Sequence, residues 1–597
     1  MPPPNADWRF FRLLLPATLA LCAAYAALVL GQASYADVLA LGQITFHHGS
    51  YQQLPVRVSA AGFARAQQLA LGGALGLGLL GLRLAGRAGG AELLRLAAEV
   101  WQALAGARRQ LTALSRGRRW AAGLSLFLLT AGRLYFSLIK SYHAEEVATY
   151  DFFISRGLLA ASGFYPIPNN HVLSSTLGWL FYQLSPAPWF SLRLPVLLTA
   201  TAGTVVLFVG LLRFGTFRAA LVGLTLFSWL QLSLYNAAAG RGYWLLMTLA
   251  GLHFLALVAL PARPAGRRVA WVVLLATGIL GCYTVPSFAY VVLSSTSYLG
   301  LGFWRRRAWS GLGPTVALGA GVVAGAALLY GPLLLLSGWR LLLVNGYVRS
   351  NSFEAIARAL PAYFWFTEGT LAGQRSIGAL LFGGGLLAFG WLWRRQHRLA
   401  LASDLRRALR QLGPPAVWFG LLPLVLLTVQ RVLPPERVLL YKALFFFVLL
   451  GLLTDAWLRA HPGRWGPRLA GAGITLFVAY QTYTMHGLVS GNARHATNIE
   501  QAFAWVRAQP PGPVLIGLSE TALHFLFLSH TRTPGRPWQL DNTARPGARY
   551  RYIIMAPNYQ GPCRPAPPAR PVYQSSSHHI YALPAPGQPV PHDPDWD

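Results

Sequence analysis

"RWAAGLSLFLLTAGRLYFSLIKSYHAEEVATYDFF", residues 119–153, passes from a long apolar run into a segment holding Glu145, Glu146 and Asp151. A helix rises about 1.5 Å per residue, so the apolar part, about 119–139, spans the roughly 30 Å hydrocarbon core of a bilayer. Only 18 acids occur in 597 residues, yet three of them follow this one segment. Read as a membrane helix that delivers acids to one surface, the stretch fixes the topology of everything after it.

The composition supports that reading. The chain is 54% hydrophobic and 11% charged, against about 25% charged in an average soluble domain. Apolar stretches of about 17–25 residues recur, bounded by Arg, Pro or Gly, as membrane-spanning helices require. The short alternating segments of a membrane barrel are absent. The net charge of +32 comes almost wholly from Arg, Lys140 and Lys442 being the only lysines. These arginines sit in short loops between apolar runs, where they set orientation, so the expected partner is the lipid bilayer and no nucleic acid. Cys22, Cys282 and Cys563 are far apart and imply no disulfide framework. There is no Walker loop or dinucleotide fingerprint, and no His/Asp cluster is spaced for a divalent cation, so no cofactor is expected.

Parity gives the number of crossings. "LLLPATLALCAAYAALVLGQ" is longer than a signal-peptide core and is read as an uncleaved anchor, and a second span lies at about 66–86. Eight arginines from Arg83 to Arg119 then mark a cytoplasmic loop, in which "AELLRLAAEVWQALAGARRQL" has the spacing of a helix lying on the membrane surface. The third span therefore runs outward. Ten further crossings follow without forcing any loop, including two between Arg268 and Arg305 that turn near Pro286. The predicted fold is an all-α polytopic membrane protein of about thirteen transmembrane helices with extracytoplasmic juxtamembrane helices. Three parts are expected: a two-span extension at 1–118, a transmembrane domain at 119–489 with an external loop at 140–190, and a soluble α/β unit at 490–597. In the last, "PVLIGL", "ETALHFLFLSH" and "YRYIIMA" read as strand, helix and strand, and the Pro-rich stretch from "GPCRPAPPARP" onward as irregular.

Adjacent glutamates diverge on a helix, so only one of Glu145 and Glu146 is expected to face a given cleft. Downstream in the same loop, "FYPIPNNHVLSSTLGWLFYQL" makes a polar turn of Pro166, Pro168, Asn169, Asn170 and His171 before an aromatic helix. Together these can line a cleft with acid, amide and imidazole groups.

In order, "HAEEVATYDFF", "NNHVLSSTLGWLFY", "SLRLPVLLTATAGTVVLF" and "YNAAAGRGYWLLMTLAGLHFL" resemble the polytopic GT-C glycosyltransferases, in particular the protein O-mannosyltransferase and aminoarabinose transferase branch. The resemblance covers about 119–460. Glu145 and Glu146 take the place of that family's acidic pair, His171 of its turn histidine, Arg193 and Pro195 of its Arg-Leu-Pro, and Arg241 to Tyr243 of its Arg-Gly-Tyr. Three features depart from the pattern: Glu145 replaces the usual aspartate, "AAAG" carries no acid before Arg-Gly-Tyr, and "YTVPSF" lacks a histidine.

The resemblance implies transfer of a sugar from a polyprenyl-phosphate donor to a protein, lipid or glycan acceptor on the extracytoplasmic side. Glu145 or Glu146 would be the base, its pKa expected to be raised by desolvation. His143, His171, Asn170, Asp151 and Tyr243 are expected near the substrate, and Arg241 first, with Arg193, Lys140, Arg437 and Lys442, at the phosphate. Tyr363, Trp365 and Phe366, with Glu354 and Glu368, lie in a loop that could cover the cleft. An Arg-rich chain with two lysines points to a GC-rich bacterial genome and an inner (plasma) membrane. The rival readings are a transporter or lipid flippase of the cell envelope and a noncatalytic scaffold. Carriers gather polar groups at the midplane, whereas here they gather at one face. Replacing both glutamates by Gln is expected to abolish transfer and spare membrane insertion.

Overall fold

The computed structural model describes residues 5–42, 46–47, 50–51, 56–167, 169–262, 266–343, 350–399, 401–533, 539–542, 544, 548–561 and 570–583. Pro168 and Cys563, singled out in the sequence, lie outside those residues.

Helices occupy every position expected to cross the bilayer. They are α1 (Asn5–Gly31), α2 (Ala60–Leu84), α4 (Arg116–Ile139), α7 (Leu194–Phe214), α8 (Phe217–Trp229) continued by α9 (Gln231–Ala238), α10 (Tyr243–Ala262), α11 (Arg267–Thr284), α12 (Ala289–Arg305), α13 (Leu312–Leu329), α15 (Gly378–Arg395), α16 (Ser403–Gln430), α17 (Leu440–Ala460) and α18 (Trp465–Ala508). Seven of these are long and apolar enough to cross a membrane by length and composition, and two bent pairs raise the figure to nine. The other four expected crossings, α11, α12, α15 and the first half of α18, are helical in the same bundle. Between them lie α3 (Gly89–Thr112) and three helices on the opposite end, α5 (Ala144–Phe152), α6 (Val172–Tyr182) and α14 (Phe353–Leu371).

The turn between α2 and α3 is made at Gly86, whose φ of 44° is open to glycine. It sets the two helices at 92°, as a span followed by a surface-lying helix requires. Elsewhere the bundle packs through small residues, the usual device where lipid removes the hydrophobic drive between helices. A Cβ on Gly223 of α8 would come within 2.6 Å of the Phe447 carbonyl of α17, and one on Gly451 within 2.3 Å of the Ala219 carbonyl.

Ion pairs sort the loops onto two ends. At one end Arg268 holds Glu92 and Glu99, and Arg459 holds Asp404 and Asp455, with Arg218 3.7 Å from Asp455. At the other, Glu145 faces Arg241 and Arg437, Lys442 meets Glu368, and His530 meets Asp151. Each of these pairs joins loops that parity assigns to the same side.

The C-terminal unit carries β1 (Val514–Ile516), α19 (Ser519–Arg532), β2 (Leu540–Asp541), β3 (Tyr552–Met555), β4 (Tyr573–Gln574) and β5 (His579–Ala582), in sheet order β2-β1-β3-β5-β4. β1 pairs in parallel with β2 and β3, the strand-helix-strand unit read from the sequence. Two features differ from expectation. The stretch after the Pro-rich segment is not all irregular, because β5 pairs antiparallel with β3 through Ile580 and Ile554. The expected boundary near 490 also falls inside α18, whose 44 residues make a rod of about 66 Å, long enough to leave the bilayer unbroken. Val147 and Phe152 of α5 share one apolar cluster with Phe503 of α18, Ile516 of β1 and Phe525 of α19, so the sheet unit and the external loop have a common core.

Candidate active site

The site is built at the first turn of α5. His143 is its N-cap, and the Glu146 side chain reaches back to accept from the His143 amide at 3.2 Å, closing a capping box. This orients Glu146 inward, where it is 1% exposed. Its Oε1 accepts from Arg193 Nε at 2.9 Å and from the Gly240 amide at 2.9 Å, and its Oε2 accepts from Lys140 Nζ. Arg193 comes from a π-helical turn at Trp189–Arg193 that opens α7, and it also donates to the carbonyls of Ser137 at 2.8 Å and Lys140 at 2.6 Å. Tyr142 lies under its guanidinium, 4.1 Å from ring centre to Cζ. Burial pushes the Glu146 carboxyl up, but Arg193 and Lys140 outweigh it and hold the group far below the usual carboxylate range. Every oxygen of Glu146 is committed, so it serves as a clamp joining α4, α5 and α7.

Glu145 points the other way, into open space. Its Oε1 accepts from Arg437 Nη2 at 2.7 Å, and its Oε2 lies 3.6 Å from Arg241 Nη2. Burial again raises its pKa, and the charges of Arg241 and Arg437 more than reverse that. The expectation of a raised glutamate is therefore corrected: guanidinium charge outweighs desolvation, and Glu145 is a carboxylate.

Arg241 is itself held. Asn169 Oδ1 accepts from its Nη1, and Asn169 Nδ2 donates to the Glu145 carbonyl at 2.9 Å. His171 Nδ1 accepts the Gly242 amide at 3.0 Å, and its Nε2 lies 3.3 Å from Arg241 Nη2. Only glycine fits at 242, since a Cβ there would lie 2.8 Å from Ser174 Cβ and 3.0 Å from His171 Cβ. Burial, then Arg241 and Arg437, drive the His171 pKa well below its ordinary value, so the ring is neutral.

Two cavities meet at Glu145. The larger, of about 510 Å³, has a polar pole of Glu145, Asn169, Asn170, His171, Arg241 and Arg437. Its other end is apolar, lined by Val285, Ala289, Leu293, Leu342 and Val432, and Leu293 is 44% exposed on the outer surface of the bundle. The smaller, of about 170 Å³, lies across the partition formed by Glu145, Arg241, Tyr243 and Arg437, which line both.

Of the residues expected near substrate, the structure therefore brings Glu145, Asn170, His171, Arg241, Tyr243 and Arg437 to the larger cavity, and His143 and the edge of Glu146 to the smaller. Four line neither of the two cavities. Lys140 and Arg193 stand behind Glu146, and Lys442 is buried against Glu368. Asp151, 1% exposed, accepts from His530 Nδ1 of α19 at 3.1 Å, its pKa raised by burial. The aromatic residues of α14 lie outside the larger cavity too, with Trp365 and Phe366 exposed and the Tyr363 hydroxyl bonded to the Pro434 carbonyl at 2.7 Å. Sequence reasoning missed the Gly240 amide, the role of Asn169 on Arg241, and Leu523 of α19, which lines the larger cavity. Among the described residues no three His, Cys, Asp or Glu gather as a metal site.

The same fold is found in a solved polytopic membrane protein. The crystal structure of ArnT from Cupriavidus metallidurans bound to undecaprenyl phosphate superposes with a TM-score of 0.50 at 16% identity, over 78% of this chain and 98% of that one. The apo form of the same protein gives 0.46 at 16% identity over 77% and 98%, and arabinosyltransferase EmbB from Mycobacterium smegmatis 0.35 at 14% over 85% and 50%. No protein-family model and no curated protein matches the sequence.

Proposed function

We propose that the chain is a membrane glycosyltransferase that moves a sugar from a polyprenyl-phosphate donor to an acceptor hydroxyl, with Glu145 as general base. The observation that carries this is Glu145 set between Arg241 and Arg437 on the wall shared by an amphipathic cavity and a polar one. An isoprenoid chain suits the apolar end, and its phosphate suits the two guanidinium groups, which match phosphate oxygens as a fork. The undecaprenyl phosphate bound to ArnT, a protein of the same fold, supports that choice of donor.

In the reaction the acceptor oxygen bonds to the anomeric carbon, the bond from that carbon to the phosphate oxygen breaks, and the acceptor proton passes to Glu145. Arg241 and Arg437 stabilise the departing lipid phosphate. The low pKa of Glu145 is compatible with this role because both arginines are shared. A bound phosphate draws them from the carboxylate and adds negative charge beside it, and both changes raise its basicity. The site lies at the end opposite the Arg-rich loops, which by the positive-inside rule is the extracytoplasmic face. Together with the Arg-rich, Lys-poor composition, this supports a reaction on the outer side of a bacterial inner membrane.

The test is transfer in detergent. Purified protein is expected to move radiolabel from a polyprenyl-phosphate sugar to an acceptor without a sealed compartment. Activity confined to intact vesicles would favour a carrier. In the same assay kcat/KM is expected to stay level from about pH 8 to about pH 5, because the free enzyme's base is already ionised there. Arg437→Gln removes a charge that favours the carboxylate, so protonation arrives at higher pH. Its acid limb should move to higher pH, together with a lower plateau. An acid limb unmoved in that variant would separate Glu145 from the titration.

A further inference from the structure

The 170 Å³ cavity on the far side of Glu145 has walls unlike those of its neighbour. Gln231 and Asn236 reach it from α9, Thr370 from the end of α14, Arg375 from the turn after it, and Glu436 from the segment before α17. Three separate elements thus converge polar side chains on one space. Glu436 and Arg375 have no ion-pair partner among the described residues, although each lines the cavity. A cavity of about 150 Å³ holds one six-membered ring such as benzene, so this volume admits one ring and little more. Leu232, Ala239 and Leu488 supply the aliphatic part of the wall, too little for a lipid chain. Its formal charges are Glu145, Glu146 and Glu436 against Arg241, Arg375 and Arg437. Equal numbers of each sign favour neither a free phosphate nor a cation, and amide, hydroxyl, carboxylate and guanidinium groups together suit a neutral ring of hydroxyls.

We propose that this cavity is a subsite for a single monosaccharide ring, held by Gln231, Asn236, Thr370, Arg375 and Glu436 with its reacting atom at Glu145. The proposal rests on glycosyl transfer at Glu145 and adds the residues that choose the sugar. The ring is either the donor's glycosyl unit or the sugar of a glycan acceptor, and the two share one chemistry.

The experiment uses the full chain in detergent and three probes: methyl glycosides of common hexoses followed by saturation-transfer NMR, undecaprenyl phosphate, and the undecaprenyl-phosphoryl form of whichever hexose binds. At least one methyl glycoside is expected to bind in the millimolar range. Gln231→Leu with Glu436→Gln should weaken it about tenfold, the scale of losing one or two hydrogen bonds, and leave undecaprenyl phosphate binding within about twofold. Displacement of the glycoside by the intact donor, but not by undecaprenyl phosphate, assigns the ring to the donor. Simultaneous binding of glycoside and intact donor assigns it to the acceptor. Absence of glycoside binding in a protein that does bind undecaprenyl phosphate overturns the subsite, as does equal binding in the variant. A protein that binds glycosides through these residues but not undecaprenyl phosphate would keep the subsite and remove the donor assignment.

Discussion

Glu145→Gln is expected to lower sugar transfer by about 10²–10⁴-fold, the range a positioned general base contributes, with undecaprenyl phosphate binding retained. Gln has the same shape and reach, so the cavity wall is preserved, but it cannot accept the acceptor's proton. Arg437 and the Glu145 side chain are 32% and 28% exposed, and half-exposed pairs of this kind contribute little to stability. The melting temperature in detergent should therefore move little. Freed of their carboxylate, Arg241 and Arg437 have more charge to offer a phosphate, so lipid affinity should hold or rise. A rate within about tenfold of the unmodified protein would remove Glu145 from the proton transfer. Glu145→Asp is the informative companion, since it restores the carboxylate that the resemblance leads one to expect and shortens its reach by one methylene.

The course of the chain was legible because membrane helices are written in one dimension. An apolar run of bilayer length is a span wherever it occurs, and arginines in short loops report sidedness. Hence "WVVLLATGILGCYTVPSFAYVVLSSTSYLGLGFW" divides, as expected, into α11 and α12 at Pro286. The end of α18 was not legible. Apolarity stops near 488, but helix does not, because "GNARHATNIEQAFAWVRA" keeps good helix formers and buries Ile499, Ala502, Phe503 and Val506 against the sheet.

The site was legible in membership and less so in arrangement. Two adjacent glutamates carry no sign of which faces the larger cavity, and that is settled by the capping box, the π-helical turn that aims Arg193, and the Gly240 amide. The direction of the Glu145 pKa shift depends on Arg241 and on Arg437, far downstream in the sequence, and Arg437 makes the shorter of the two charged contacts with Glu145. Both lysines stand out in sequence for lying on the side opposite the arginines. Each proves to neutralise a buried glutamate, Lys140 with Glu146 and Lys442 with Glu368, and pairing rather than phosphate binding explains them.

That difference changes what a double substitution of the glutamates would mean, because Glu146→Gln is expected to damage the fold itself. Glu146 is 1% exposed and its partners Arg193 and Lys140 are 2% exposed. Removing one member of a buried ion pair leaves the others charged and unpaired, at about 3–5 kcal/mol. The expected result is a large fall in detergent melting temperature and faster proteolysis at α5, with transfer lost as a consequence. The cycle with Lys140→Met separates this from a catalytic role. If the damage arises from a stranded cation, the double variant should be more stable than Glu146→Gln alone, because Met keeps the length of the side chain without its charge. Arg193 would still be held by the carbonyls of Ser137, Lys140 and Ser141. A Glu146→Gln protein that melts normally and yet fails to transfer sugar would make Glu146 a participant in the chemistry. One that regains transfer when Lys140 is replaced would make it the brace on which Glu145 is mounted.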